Sequence, residues 1–172
     1  NVTNSYKFYW FISILEHIQH NQSRTIPIDD LLAHMVANVW YPANYFRLSF
    51  GKQDRLGQIT LKAVNETGLQ ADAGRVEVTR SLKQILIQDT PFSREVKSLG
   101  TYVPFRFLRP FFAQELRGLA DHEINRRVEA LAHQQFDNPI RPCLYRFTHT
   151  SRESIEIHPA WFEYLNRHLS IL

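Results

Sequence analysis

The sequence predicts a mainly α fold, a single helical domain with one short antiparallel β-hairpin near the carboxyl end. Three observations lead there. Apolar residues recur at helical spacing through most of the chain, Pro42, Gly51, Gly68 and Gly74 divide those runs, and alternation of polarity is confined to the region around 144–158. One domain is expected over residues 1–172, because 172 residues with 44% hydrophobic and 22% charged side chains match one globular unit better than two. A chain of this size buries roughly 70% of its unfolded surface, enough for a core without metal or disulfide staples.

A first helix is predicted from Asn4 to His20, with Phe8, Phe11, Ile12, Leu15 and Gln19 at helical spacing and Asn4 or Ser5 as cap. Its other face carries Tyr6, Trp10 and Ile14, so its first three turns are apolar nearly all round and belong inside a core. A second helix is predicted from Asp29 to Tyr41 through Leu32, Met35, Val36 and Val39, with Asp29 and Asp30 at the favourable end of its dipole and Pro42 interrupting it. The aromatic stretch Ala43 to Phe50 follows, and Gly51 ends it. Helices are then expected from Asp54, as N-cap, to Thr67 and from Arg75 to Gln88.

Pro91, Gly100, Pro104 and Pro110 punctuate Thr90 to Gly118 too often for a long helix, so that segment reads as an ordered, aromatic-rich connector. A helix follows from Asp121, read as N-cap, to Phe136, with Ile124, Val128, Leu131 and Ala132 inward. Leu144–Thr148 and Ser154–His158 alternate in polarity around the polar segment His149–Glu153, the pattern of a hairpin. Pro159 suits a first helical residue, and Trp161, Phe162, Leu165 and Leu169 continue at helical spacing. The absence of an initiator Met at Asn1 and the apolar end Leu169–Leu172 read as a piece of a longer polypeptide.

Composition narrows the function classes. Cys143 is the single cysteine, which excludes an internal disulfide and a Cys-rich zinc site and fits a reducing compartment. No apolar run reaches the ~20 residues that cross a bilayer, and the amino end lacks a secretory pattern, so the expectation is a cytoplasmic protein with no membrane partner. The net charge of +3 is too small to establish nucleic-acid binding alone, but the cations are 15 Arg against 5 Lys. Arg is suited to bidentate phosphate contacts and to stacking on rings, although an Arg-rich usage also follows from genome composition.

Catalytic motifs are not found. His122-Glu123 lacks a second His four residues on, where Arg126 stands, and His17 and His20 have no identifiable third ligand. There is no phosphate-binding glycine loop and no Gly-x-Ser-x-Gly elbow, and Cys143 near His149 reads as a small buried filler. Lys52 and Arg55 bracket a polar turn after an aromatic run, which suits an exposed patch for a partner or, the preferred reading, a helix start. The remaining constellation interleaves arginines with rings: Tyr102, Phe105, Arg106, Phe107, Arg109, Phe111 and Phe112, then Arg141, Tyr145, Arg146, Phe147 and Arg152. Such a pattern suits phosphate contact with base stacking. It equally suits rings packed onto helices, with arginines solvated or paired with Glu115 or Glu95.

Several words occur together: Thr3-Asn4-Ser5-Tyr6-Lys7-Phe8-Tyr9-Trp10-Phe11, Trp40-Tyr41-Pro42-Ala43-Asn44-Tyr45-Phe46, Phe50-Gly51-Lys52-Gln53-Asp54 and Val103-Pro104-Phe105-Arg106-Phe107-Leu108-Arg109-Pro110-Phe111-Phe112. They resemble the amino-terminal region of bacterial HNH endonuclease proteins, and Ile155-Glu156-Ile157-His158-Pro159-Ala160-Trp161-Phe162 resembles the segment that precedes the nuclease module there. The resemblance implies a downstream ββα-metal module with a divalent ion and a water-activating His. Nothing in this chain matches that constellation, so no catalytic, cofactor-binding or metal residue is carried over. The resulting expectation is a non-catalytic amino-terminal domain that positions DNA for such a module, with Arg106, Arg109, Arg146 and Arg152 as phosphate contacts. The alternative is a protein-interaction or dimerisation domain that meets itself or another protein through aromatic surface.

Overall fold

The computed structural model describes residues 6–48, 54–148 and 152–169. Among these, the elements in order are α1 (Tyr6–Asn21), β1 (Thr25–Pro27), α2 (Ile28–Asn44), α3 (Arg55–Thr67), α4 (Arg75–Ile87), α5 (Pro91–Gly100), α6 (Val103–Leu108), a 3-10 turn (Arg109–Phe112), α7 (Asp121–Phe136), β2 (Tyr145–Phe147), β3 (Ser154–Ile157) and α8 (Pro159–His168). The fold is mainly α, as the sequence predicts. The chain divides into two compact units, one made of Asn1–Ser13 with Asp29–Thr101, the other of Ile14–Ile28 with Tyr102–Leu172.

In the first unit, α2 is apolar on most sides, and Leu31, Leu32, Met35, Val36, Val39 and Trp40 are all buried. The indole Nε1 of Trp40 donates to the Gln70 carbonyl at 3.1 Å, which satisfies the one polar atom this ring brings inside. Helix α3 starts at Asp54, whose carboxylate accepts the Leu56 N–H at 3.1 Å, and stops at Gly68, whose φ of 69° supplies the left-handed conformation of a C-cap. Lysines join the helices at their rims: Lys62 to Glu95 at 2.7 Å, Lys83 to Asp30 at 2.9 Å and Lys97 to Asp29 at 3.4 Å.

The second unit is built on a three-stranded antiparallel sheet in the order β1-β3-β2. Register places Ile26 and Phe147 on either side of Ile155, and all three are fully buried. Phe105 of α6 stacks on Phe147 with centroids 4.5 Å apart, and the Tyr145 hydroxyl donates to the Pro104 carbonyl at 2.6 Å. Helix α7 packs on β2 and α6 packs on α7. The rings of the Arg/aromatic string therefore go mostly to the core: Phe105 and Phe112 are buried, whereas Phe111 stays exposed.

Several elements differ from the sequence reading. Helix α2 continues through Pro42 to Asn44, because the loss of one donor is offset by burial of Trp40 and Ala43 on either side. The predicted connector contains two helices. Pro91 occupies the first turn of α5, where its missing N–H has no partner to lose, and Thr90 and Ser93 form a reciprocal capping box with both bonds at 3.0 Å. Pro104 stands in the first turn of α6 in the same way. The cap of α7 is Ala120 rather than Asp121, its N–H taken by the Glu123 carboxylate at 3.2 Å. In α1 the buried face is Tyr6, Trp10, Ile14 and Ile18, and Phe8 of the predicted stripe is exposed. An all-round apolar helix does not reveal its inner face by spacing alone.

The hairpin is present as β2 and β3, but the sequence reading missed β1, which makes β3 a central strand. Three residues are too few to show alternation, and Pro27 is tolerated because β1 lies at an edge. The proposed caps Asn4 and Ser5, the breaker Gly51, the turn residues Lys52 and Gln53, and residues 149–151 of the hairpin loop lie outside the described residues.

Ile155→Ala is expected to lower stability by about 2–5 kcal/mol in urea denaturation, since it removes a fully buried side chain from the central strand. Ile140→Ala, at a position 85% exposed, is expected to stay within about 0.5 kcal/mol. Equal effects at the two positions would contradict this assignment of the core.

Candidate nucleic-acid interface

Three of the four arginines expected to meet phosphate are directed at α7 and its end. Arg109 Nη2 donates to Asn125 Oδ1 at 2.9 Å, Arg152 Nη2 pairs with Glu129 Oε2 at 2.6 Å, and Arg146 Nη1 lies 3.9 Å from Asp137 Oδ1. Positions 125, 129 and 137 fall in one row of a helix with four-residue steps, so α7 presents a polar rail that the neighbouring segments grip. Arg146 is engaged further. It pairs with Glu156, its cross-strand partner, through Nη2 at 2.8 Å and Nε at 2.9 Å, and it covers the Phe136 ring at 4.1 Å. Arg106 lies over the Tyr102 ring at 4.7 Å.

These contacts leave the four arginines unequal. Arg146 is only 24% exposed and its charge is matched by a carboxylate; Arg152 is 61% exposed but chelated by Glu129 through two nitrogens. Arg106 lies in α6 and Arg109 opens the 3-10 turn that follows it, and the buried Arg109 Nε has no acceptor among the described residues. The acids that answer the arginines are Glu129, Asp137 and Glu156, not Glu115 or Glu95 as the sequence alternative had it. Glu95 pairs with Lys62 instead.

Residues of the first unit present a different surface. At the end of α2, Tyr41 and Tyr45 stack with centroids 4.6 Å apart and 9° between planes, and Phe46 stands edge-on to both at 5.2 and 5.3 Å. All three rings are exposed, Phe46 by 60%. Tyr45 and Phe46 both return their N–H to the Tyr41 carbonyl, Arg47 takes a φ of 51°, and Leu48 N–H reaches the Pro42 carbonyl at 3.0 Å. A left-handed arginine carries a backbone cost that such a closed turn sustains. Arg47 is exposed and has neither a hydrogen bond nor an ion pair among the described residues. Beside the turn lies a cavity of about 500 Å³ bordered by Asn44, Arg47, Leu48, Leu61 and Asn65.

The Tyr41 hydroxyl is held above its ordinary pKa of 10.0, by loss of solvation first, then by Tyr45 and by the Asp72 carboxylate. The Tyr41 phenol therefore remains neutral near pH 7. The sequence reading recorded this stretch as an aromatic run and as one of the words of the family resemblance, and named no binding residue in it. The available signal was three rings packed into Tyr41–Phe46, followed at once by an arginine.

Residues considered for chemistry are placed elsewhere. His122 and Glu123 are exposed in the first turn of α7, where Glu123 caps the helix. Cys143 is buried, and burial pushes its thiol up to about 11 despite backbone hydrogen bonds near Tyr145 and Leu144 that lower it. Buried His17 bonds to the Asn21 amide at 3.0 Å. Among the described residues no group of three or more His, Cys, Asp or Glu is arranged to hold a metal ion, and no helix is long and apolar enough to cross a membrane. No family model, curated protein or solved structure matches the chain.

Two outcomes follow from this geometry. Native Cys143 should react with a disulfide reagent at pH 8 about a hundredfold more slowly than in the urea-unfolded chain, because the thiolate is scarce and shielded; fast native labelling would place it at the surface. A double-mutant cycle on Arg146 and Glu156 should give a coupling of about 1 kcal/mol in stability, and a value near zero would release Arg146 from its structural assignment.

Proposed function

We propose that this chain contacts nucleic acid without cutting it, taking an unpaired strand at the aromatic end of α2, and that it accompanies a nuclease module of the HNH type, to which its sequence words point. The observation that carries the reading is the exposed Tyr41–Tyr45 stack, edged by Phe46, with Arg47 beside it and unpaired among the described residues. Ring faces take bases of any identity and a guanidinium takes a phosphate oxygen.

Magnitudes decide which force leads. Stacking contributes ~1–3 kcal/mol per base. Attraction from a net charge of +3 is weak, and Asp54 and Asp72 near this surface reduce it further. Binding of this kind prefers a flexible single strand, whose bases are free to leave their neighbours, over a duplex whose bases stay stacked. It also depends only shallowly on salt, with a logarithmic slope near −0.7 for each phosphate neutralised.

A second reading is supported by Leu48 and Leu61, exposed by 57% and 53%, which add aliphatic surface next to the rings. Mixed aromatic and aliphatic patches of this kind suit a protein contact.

Fluorescence anisotropy with a labelled single strand and the matching duplex, at about 50 and about 200 mM salt, tests the proposal. The single strand is expected to bind more tightly. Tyr45→Ala should weaken it about 5- to 100-fold, Arg47→Ala should flatten the salt slope, and Arg152→Ala should leave both unchanged. No binding at micromolar protein rejects the nucleic-acid role. In that case a dimer in sedimentation velocity that Tyr45→Ala dissociates would favour the protein-contact reading.

A further inference from the structure

His158 sits where the central strand ends and the last helix begins. Its backbone N–H donates to the Leu144 carbonyl at 3.0 Å, and its side-chain Nδ1 accepts the Ala160 N–H at 3.2 Å as the N-cap of α8. An imidazole nitrogen accepts only while it carries no proton, so this cap exists only in the neutral ring with its hydrogen on Nε2. The ring also stands edge-on to Phe136 at the end of α7, centroids 5.0 Å apart.

Four charged groups face this ring: Arg24 ahead of β1, Asp137 after α7, Arg146 on β2 and Glu156 on β3. The acids do not offset the arginines, because Glu156 is held by Arg146 at 2.8 Å and approached by Arg24 at 3.8 Å, and Asp137 lies 3.9 Å from Arg146. Burial, Arg24 and Arg146 together hold His158 below its ordinary pKa of 6.5, against the opposing pull of Asp137 and Glu156.

Little else secures α8. Leu165 is its one buried side chain among the described residues, Trp161 Nε1 donates to the Pro142 carbonyl at 2.9 Å, and Asn166 exchanges amide hydrogen bonds with Gln22 at 2.8 and 3.1 Å. A helix of ten residues has no stability of its own in water. Its docking is therefore sensitive to a single cap.

We propose that His158 is a proton-operated latch on α8: neutral, it caps the helix and holds its first turn in place, and protonated, it frees Pro159–His168 while the sheet stays paired. The released state binds the extra proton, so docking is strongest above the unfolded pKa near 6.5 and weakens as pH falls below it. The latch is independent of the nucleic-acid reading.

Hydrogen exchange of the full chain at about pH 7.5 and about pH 5, with rates corrected for the intrinsic effect of pH, tests it. The α8 amides should lose about fivefold protection at the lower pH, the size of one lost N-cap, while β3 keeps its protection. His158→Asn, which caps without titrating, should abolish the pH effect, and His158→Ala should show the low level of protection at both pH values. Unchanged α8 protection in the native protein, an undiminished pH effect in His158→Asn, or an equal loss across β3 and α8 would each overturn the latch.

Discussion

The pairing of β3 on both of its edges is the constraint on which the second unit depends. Ser154–Ile157 accepts β2 on one side and the three-residue β1 on the other, and its alternation sends Ile155 and Ile157 into the core while Glu156 points outward. Joining β1 to β3 closes a loop of more than a hundred residues, an entropy cost that grows only slowly with loop length and is met by the buried row Ile26, Ile155 and Phe147. The same register sets Glu156 directly opposite Arg146 and brings Arg24 within 3.8 Å. One short strand thus fixes both a hydrophobic layer and a charge assignment.

That charge assignment bears on function. An arginine serves a polyanion only with donors that internal acids have not taken. Arg146 and Arg152 spend theirs on Glu156 and Glu129, and Arg109 spends one on Asn125. Arg47 faces solvent beside rings that the core did not absorb. The distribution of partners, rather than the number of arginines, separates cations that hold this fold from Arg47, which has no acid partner among the described residues.

Much of the fold was legible in the sequence where a local signal coincided with a local cause. Asp54 and Gly68 bound α3 because a carboxylate and a glycine do at helix ends what other residues do poorly. Pro159 opens α8 for the same local reason. The misses have physical reasons of their own. Pro91 and Pro104 read as breakers because a proline at a first turn and one in an interior look alike until the cap, here Thr90 with Ser93, is considered. β1 has no pattern of its own and is a strand only because β3 is there to receive it. The rings of 105–112 were assigned to core or surface only collectively, and their separation into buried Phe105 and exposed Phe111 depends on where β2 and α7 lie. For the site, the sequence pointed to arginines alternating with rings, whereas partner geometry favours a place where rings cluster and one arginine follows them.

The most direct measurement of this division is a two-dimensional NMR titration of the isotope-labelled protein with a short single-stranded oligonucleotide. Shifts confined to the backbone and side-chain signals of Tyr41, Tyr45, Phe46 and Arg47, with the guanidinium signals of Arg146 and Arg152 unmoved, are the predicted result. Shifts that cluster on Arg146 and Arg152 instead, with the α2 end silent, would contradict the account.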